Sequence, residues 1–184
     1  NGPIALIPTL KNRIAQNYPG TRLSVMEYNF GGGQDISGGV AQADVLGIFA
    51  REGVFSAALW RFADQGAQSF TYGAFDVYLN YDGAGSRVGD VSVLSSTTDN
   101  AKSSVYAMVK SGDASTVYVV AINKTAAPLS ANVLLKHSSA LSTATAYQLT
   151  SASMKPAAAG QANLAGNQLH YVMPAYSVST IILR

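Results

Sequence analysis

Cysteine is absent from this 184-residue sequence, which excludes disulfide scaffolds, thiol nucleophiles and cysteine-ligated metals. Two histidines, His137 and His170, leave little for a histidine-based triad or a zinc site. No apolar run reaches the roughly 18 residues that span a bilayer. Lysine and arginine nowhere form a block, so a nucleic-acid partner has no electrostatic footprint to bind. Charged residues make up only 12% of the chain against 48% hydrophobic, a balance that excludes a disordered polyelectrolyte. Glutamate is scarce as well: Glu27 and Glu52 are the two present, and Trp60 is the one tryptophan.

The charge that is present is unevenly divided. Residues 1–100 hold six basic and nine acidic residues, a net of −3, whereas residues 101–184 hold six basic residues and the single acid Asp113, a net of +5. Together with the stretch DVSVLSSTTDNAKSS, this shift predicts two units, residues 1–90 and 91–184, joined by a connector.

Hydrophobic spacing distinguishes the two. Ile4, Ile7, Leu10 and Ile14 recur at helical intervals up to the stop Tyr18-Pro19-Gly20. Arg22 to Phe30 is a short apolar-rich run that reads as a strand, and Gly31 to Gly39 reads as a flexible loop. Val40–Arg51 predicts a second helix, Val54–Trp60 a second strand and Ser69–Tyr81 a third helix. Strands alternating with helices imply parallel pairing, and the absence of polar alternation predicts burial on both faces. From residue 105 the pattern changes to short runs rich in Val, Ile, Tyr and Thr: 105–110, 116–123, 129–135, 144–150, 168–173 and 177–183. Tyr176 to Leu183 alternates almost strictly. This is the pattern of a small antiparallel sandwich, with Pro156–Gly166 expected as a loop or short helix. The fold class is therefore α/β followed by all-β.

In parallel α/β folds the chemistry sits at the carboxyl ends of the strands. The first strand delivers Glu27, then Tyr28, and the second delivers Trp60. A carboxylate and a large aromatic face at one end of neighbouring strands suit sugar cleavage: the carboxylate addresses an anomeric carbon and the indole stacks on a pyranose. A salt-bridged surface glutamate and a core tryptophan are the plainer alternatives. Glu52 falls between a helix and the next strand, at the opposite end, where Arg51 can pair with it. The run GGGQDISGG follows a strand and precedes a helix but lacks the Lys-Ser/Thr pair of a phosphate loop. Asp82-Gly83-Ala84-Gly85-Ser86 resembles half of a calcium loop without the remaining acidic ligands; a turn is expected, and structural calcium stays open. His137 and His170 are expected on the surface or in strand pairs.

The run Met26-Glu27-Tyr28-Asn29-Phe30-Gly31, followed by Ile36 to Gly53, Ala57-Ala58-Leu59-Trp60, Phe75 to Gly83 and Ser86 to Asp90, resembles the seventh-strand and seventh-helix region of glycoside hydrolase family 44 and its continuation. That is the endoglucanase/xyloglucanase family. The resemblance implies the end of a (β/α)8 TIM barrel, its strands 7 and 8 with their helices, followed by a β-sandwich. It implies retaining cleavage of internal β-1,4 bonds in glucans such as carboxymethylcellulose or xyloglucan, with xylan as a further substrate. Glu27 maps onto the nucleophile, Trp60 onto a stacking residue, and Tyr28 onto a residue bordering the catalytic sugar. The family's acid/base glutamate follows an asparagine, and no Asn-Glu pair occurs here. A barrel needs about 250 residues. The implied partners are therefore a β-1,4-linked polysaccharide and the amino-terminal part of the same enzyme. No cofactor is required, neither nucleic acid nor membrane is implied, and a polymeric substrate implies secretion to the extracellular space. The competing expectation is a non-catalytic carbohydrate-binding or structural sandwich.

Overall fold

A computed structural model of the chain describes residues 4–60 and 69–184. Helix α1 (Leu6–Asn17) leads into strand β1 (Ser24–Tyr28), helix α2 (Ile36–Glu52), strand β2 (Ser56–Leu59) and helix α3 (Phe70–Leu79). Strands alone follow: β3 (Val91–Val93), β4 (Ser103–Lys110), β5 (Asp113–Asn123), β6 (Leu129–Leu134), β7 (Ala144–Thr150), β8 (Ser153–Gln161), β9 (Asn163–Ala165), β10 (Gln168–Met173) and β11 (Ser177–Leu183).

Strands β1 and β2 pair in parallel, as a strand–helix–strand unit requires. The expected burial on both faces is not what the structure holds. Ser24, Met26 and Glu27 of β1 and Ser56 and Ala57 of β2 are exposed. One face of the pair meets α2, and among the described residues nothing covers the other. The expected loop over residues 31–39 also yields in part. Helix α2 begins at Ile36, with Asp35 as its N-cap accepting from the Ser37 N–H at 2.8 Å. Gly38 and Gly39 are helical. A Cβ on Gly38 would lie 2.2 Å from the Gly32 carbonyl oxygen, so this glycine serves close approach rather than flexibility.

The remaining strands form a six-stranded sheet in the order β3-β4-β5-β11-β7-β8 and a three-stranded sheet in the order β6-β10-β9. Every pairing within these two sheets is antiparallel. The six-stranded sheet is the middle of three layers. One of its faces, carrying Tyr106, Met108, Tyr118, Val120, Ile122, Leu149, Val178 and Ile182, shares a core with Val40, Ala43, Phe70, Ala74, Val77 and Tyr78 of α2 and α3. Its other face, with Val119, Ala144, Ala146, Ile181 and Leu183, packs on Leu169, Tyr171 and Met173 of β10.

This layering explains β11. Its alternating sequence is the mark of a strand with one wet face, yet all seven residues are buried. The polar ones meet partners: the Thr180 hydroxyl donates to the Val77 carbonyl at 2.7 Å, and Ser179 accepts from the Tyr171 hydroxyl at 3.1 Å. The segment expected as loop or short helix, Pro156–Gly166, is instead the end of β8 and all of β9. Strand β8 is the outermost strand of its sheet and pairs with β7 alone, with register shifts on either side of Tyr147–Gln148.

Side chains tie α2 to the sandwich. Asp44 receives the Tyr106 hydroxyl at 2.6 Å and pairs with Lys124 at 2.8 Å. A Cβ on Gly47 would meet the Tyr106 ring at 2.3 Å, so the helix lies directly on that ring. Tyr78 donates to the Ala43 carbonyl at 2.9 Å, locking α3 to α2.

Candidate active site

The carboxyl ends of β1 and β2 lie side by side. The partners are Ser24 with Ser56, Val25 with Ala57 and Tyr28 with Leu59. From Val25 to Tyr28 the chain advances three residues while β2 advances two, so Met26–Glu27 forms a bulge with one extra residue on β1. Glu27 absorbs it with φ of +56°, in the left-handed region that residues with a Cβ rarely occupy.

The bulge sorts the side chains. Tyr28 faces α2: its hydroxyl accepts from Gln42 Nε2 at 2.8 Å, and its ring meets Phe49 edge-on with centroids 5.3 Å apart. Gln42 is itself only 2% exposed. Burial pushes the Tyr28 phenol above its ordinary pKa, against the smaller opposing effect of the Gln42 hydrogen bond, so it stays neutral. Met26 and Glu27 are exposed.

Trp60 follows β2 directly and is 48% exposed. Its N–H donates to the Tyr28 carbonyl at 2.9 Å, which extends the parallel ladder one step beyond β2. Its carbonyl accepts from Asn29 Nδ2 at 2.6 Å, while Asn29 Oδ1 accepts from the Gly31 N–H at 2.6 Å. Glu27 and Trp60 therefore share the carboxyl-terminal end of the strand pair.

Glu52 does not join them. It closes α2 before β2 begins, its carboxylate meets Arg51 Nε at 3.1 Å, and Lys11 donates to its carbonyl at 2.7 Å. A cleft of about 500 Å³ lies at that same opposite end, between Lys11, Ile14, Arg22, Gly53 and Phe55, with the Arg22 guanidinium 4.5 Å above the Phe55 ring. This cleft and the carboxylate–indole pair thus occupy different ends of the parallel strands. Chemistry in parallel α/β folds belongs to the carboxyl end.

The other residues singled out have structural partners. Asp82 closes a turn, accepting from the backbone N–H groups of Ala84 and Ser86 at 2.9 and 3.1 Å and from the Ser86 hydroxyl at 2.5 Å. The His137 ring nitrogens contact the Ser139 and Ala114 carbonyls, each at 2.9 Å, and His170 pairs with Asn132 across β10 and β6 at 2.8 Å. Among the described residues no three His, Asp or Glu side chains gather in a way that would hold a metal ion.

Two features of the site have faint signals in the sequence, and a third has none. A polar Gln42 among the small apolar residues of an amphipathic helix hints at a buried partner. An asparagine after a strand hints at a local clamp. The left-handed Glu27 has no compositional sign at all, because such a position ordinarily calls for glycine.

No family model matches the chain. Over 98% of its length it is 35% identical to endoglucanase A of Paenibacillus lautus, of which it spans 26%. Among solved structures it resembles a glycoside hydrolase family 44 endoglucanase of Clostridium acetobutylium, with a TM-score of 0.93 and 35% identity over 97% of this chain. It also resembles a family 44 xyloglucanase of Paenibacillus polymyxa, with a TM-score of 0.91, 32% identity and the same 97% covered. The chain spans 35% of the length of each of these two structures.

Proposed function

This chain belongs with the carboxyl-terminal portion of glycoside hydrolase family 44, and on that footing we propose that it is the nucleophile-bearing part of a retaining endo-β-1,4-glucanase. The observation that carries the proposal is the pairing of an exposed carboxylate, re-aimed by a bulge, with an exposed indole one ladder step away at the carboxyl ends of two parallel strands.

In this reading Glu27 attacks the anomeric carbon of a bound β-glucan and forms a glycosyl ester. A second carboxyl, held outside this chain, protonates the departing oxygen and then deprotonates the water that hydrolyses the ester. Retention needs the two carboxyl groups about 5–5.5 Å apart. Glu52, the other glutamate of the sequence, lies at the wrong end to serve. Trp60 stacks on a sugar ring beside the scissile bond, and Tyr28 borders the site from the helix side. Carboxymethylcellulose and xyloglucan are the proposed substrates, xylan a further one. The scheme uses no cofactor. The partner is the amino-terminal part of the same enzyme, and action on a polymer places the enzyme outside the cell.

The test is Glu27→Gln in the longer enzyme that carries this chain. Turnover of carboxymethylcellulose should fall by a factor of at least about 10³ while the melting temperature changes little. Hydrolysis close to that of the unsubstituted enzyme would remove Glu27 from the nucleophile's role.

A further inference from the structure

At the carboxyl end of the strand pair, one side chain hydrogen-bonds the main chain of both segments that follow the strands. Asn29 immediately follows β1. Its Nδ2 donates to the Trp60 carbonyl and its Oδ1 accepts from Gly31, both at 2.6 Å. The second bond fixes the first: because the oxygen is aimed at an N–H donor, the amide nitrogen must face the carbonyl. Trp60 is thus held at both its backbone polar groups, the N–H by Tyr28 and the carbonyl by Asn29. Both anchors belong to the strand end that carries Glu27. β2 itself stops at Leu59, so ladder pairing alone would leave the Trp60 carbonyl unheld.

We propose that Asn29 is a positioning residue: its side-chain amide fixes the Trp60 main chain, and with it the indole, relative to Glu27. A stacking residue is useful only while its plane holds still against the reacting centre, and a misplacement of about 1 Å costs on the order of 10²-fold in rate. The clamp deepens the glucanase reading and rests on it for its purpose. The restraint on Trp60 can be measured without any hydrolysis.

Trp60 is the sole tryptophan of the chain, so the fluorescence of the 184-residue protein reports on it alone. The experiment measures time-resolved anisotropy and acrylamide quenching in the unsubstituted chain, in Asn29→Leu and in Asn29→Asp, each from about pH 4 to about pH 8. Asn29→Leu should add a fast depolarising component and raise the quenching constant about two-fold at every pH, since nothing donates to the carbonyl. Asn29→Asp keeps the acceptor for Gly31 and replaces the donor by a titrating oxygen. Near pH 4 its protonated form can donate to the Trp60 carbonyl and should approach the unsubstituted chain; near pH 8 the ionised oxygen repels that carbonyl and should match Asn29→Leu. The pH scan of the unsubstituted chain supplies the background. Unchanged indole mobility in Asn29→Leu would overturn the proposal. So would an equal, pH-independent rise in both variants, which is what general loosening produces. Neither outcome bears on whether Glu27 is a nucleophile, which the Glu27→Gln assay decides separately.

Discussion

At Glu27 the backbone holds a conformation that costs an L-residue about 1–2 kcal/mol relative to the right-handed regions. Strain of this kind persists where surrounding bonds over-determine it. Here the ladder at Ser24, Val25 and Tyr28, the Gln42–Tyr28 bond and the packing of Tyr28 on Phe49 fix both sides of the bulge. The consequence is an inverted preference for side chains. Glu27→Gly and Glu27→Ala both remove the carboxylate, but only glycine accepts φ of +56° without penalty. Glu27→Gly should therefore be more stable than Glu27→Ala by about 1 kcal/mol in urea unfolding, opposite to the order in an ordinary strand. Alanine equal or superior to glycine would mean that the bulge relaxes when the carboxylate is removed. Of the residues at the candidate site, Glu27 and Trp60 stand out in the sequence because a carboxylate and an indole fall at the ends of two predicted strands, where the structure also has them. Asn29 and Gln42 act on main chain and on a phenol brought to them by the fold, and such partners have no linear spacing.

Among the elements, α2 links the parallel strand pair to the sandwich. Its apolar side lies on the six-stranded sheet, Gln42 reaches β1, and Asp44 binds the sandwich through Tyr106 and Lys124. Burial pushes the Asp44 carboxyl up, but hydrogen bonds from Lys124, Tyr106 and Ser104, with the lysine's charge, outweigh it and hold the pKa below the ordinary carboxylate value. A depressed folded-state pKa gives stability that is complete above the unfolded value of about 3.9 and disappears as pH falls through the lower folded value. Asp44→Asn should thus destabilise by about 2 kcal/mol from about pH 5 to 8, and the gap to the unsubstituted chain should close below about pH 4. Urea midpoints measured across that range check this, and a gap independent of pH would assign the loss to shape instead of charge. The same element shows why the loop expectation over 31–39 failed in part. Glycines read locally as flexibility, whereas Gly38 is small because the Gly32 carbonyl needs the space. Strand β8 is the converse case. Its Ala-Gly-rich sequence has little strand preference of its own, and pairing with β7 makes it a strand.

For the molecule as a whole, the change in charge and pattern near residue 90 separates two kinds of secondary structure but not two cores. The helices α2 and α3 lend Val40, Ala43, Phe70, Ala74, Val77 and Tyr78 to a cluster whose other half is sheet. A single calorimetric transition is expected for the 184-residue chain, with no earlier melting of residues 4–90. Two resolved transitions would show that the shared cluster does not couple them. The sandwich was legible in outline because six of its strands are short runs, rich as a set in Val, Ile, Tyr and Thr, between turn residues. Its third layer was not, since alternation in β11 reports which side chains are polar and not whether either face is wet.

The outer edge of the six-stranded sheet has one more consequence. A terminal strand normally offers a row of unused backbone groups to any neighbouring copy, and β8 interrupts that row with Lys155 and Pro156, a charge followed by a residue with no N–H to give. At the far edge β3 is three residues long, too short a template for stable pairing. Among the described residues, the exposed faces of β1 and β2 have no comparable protection. If concentrated samples of this chain polymerise, the sandwich should therefore be a bystander, and the growing contact should run through the two strands that carry the candidate site.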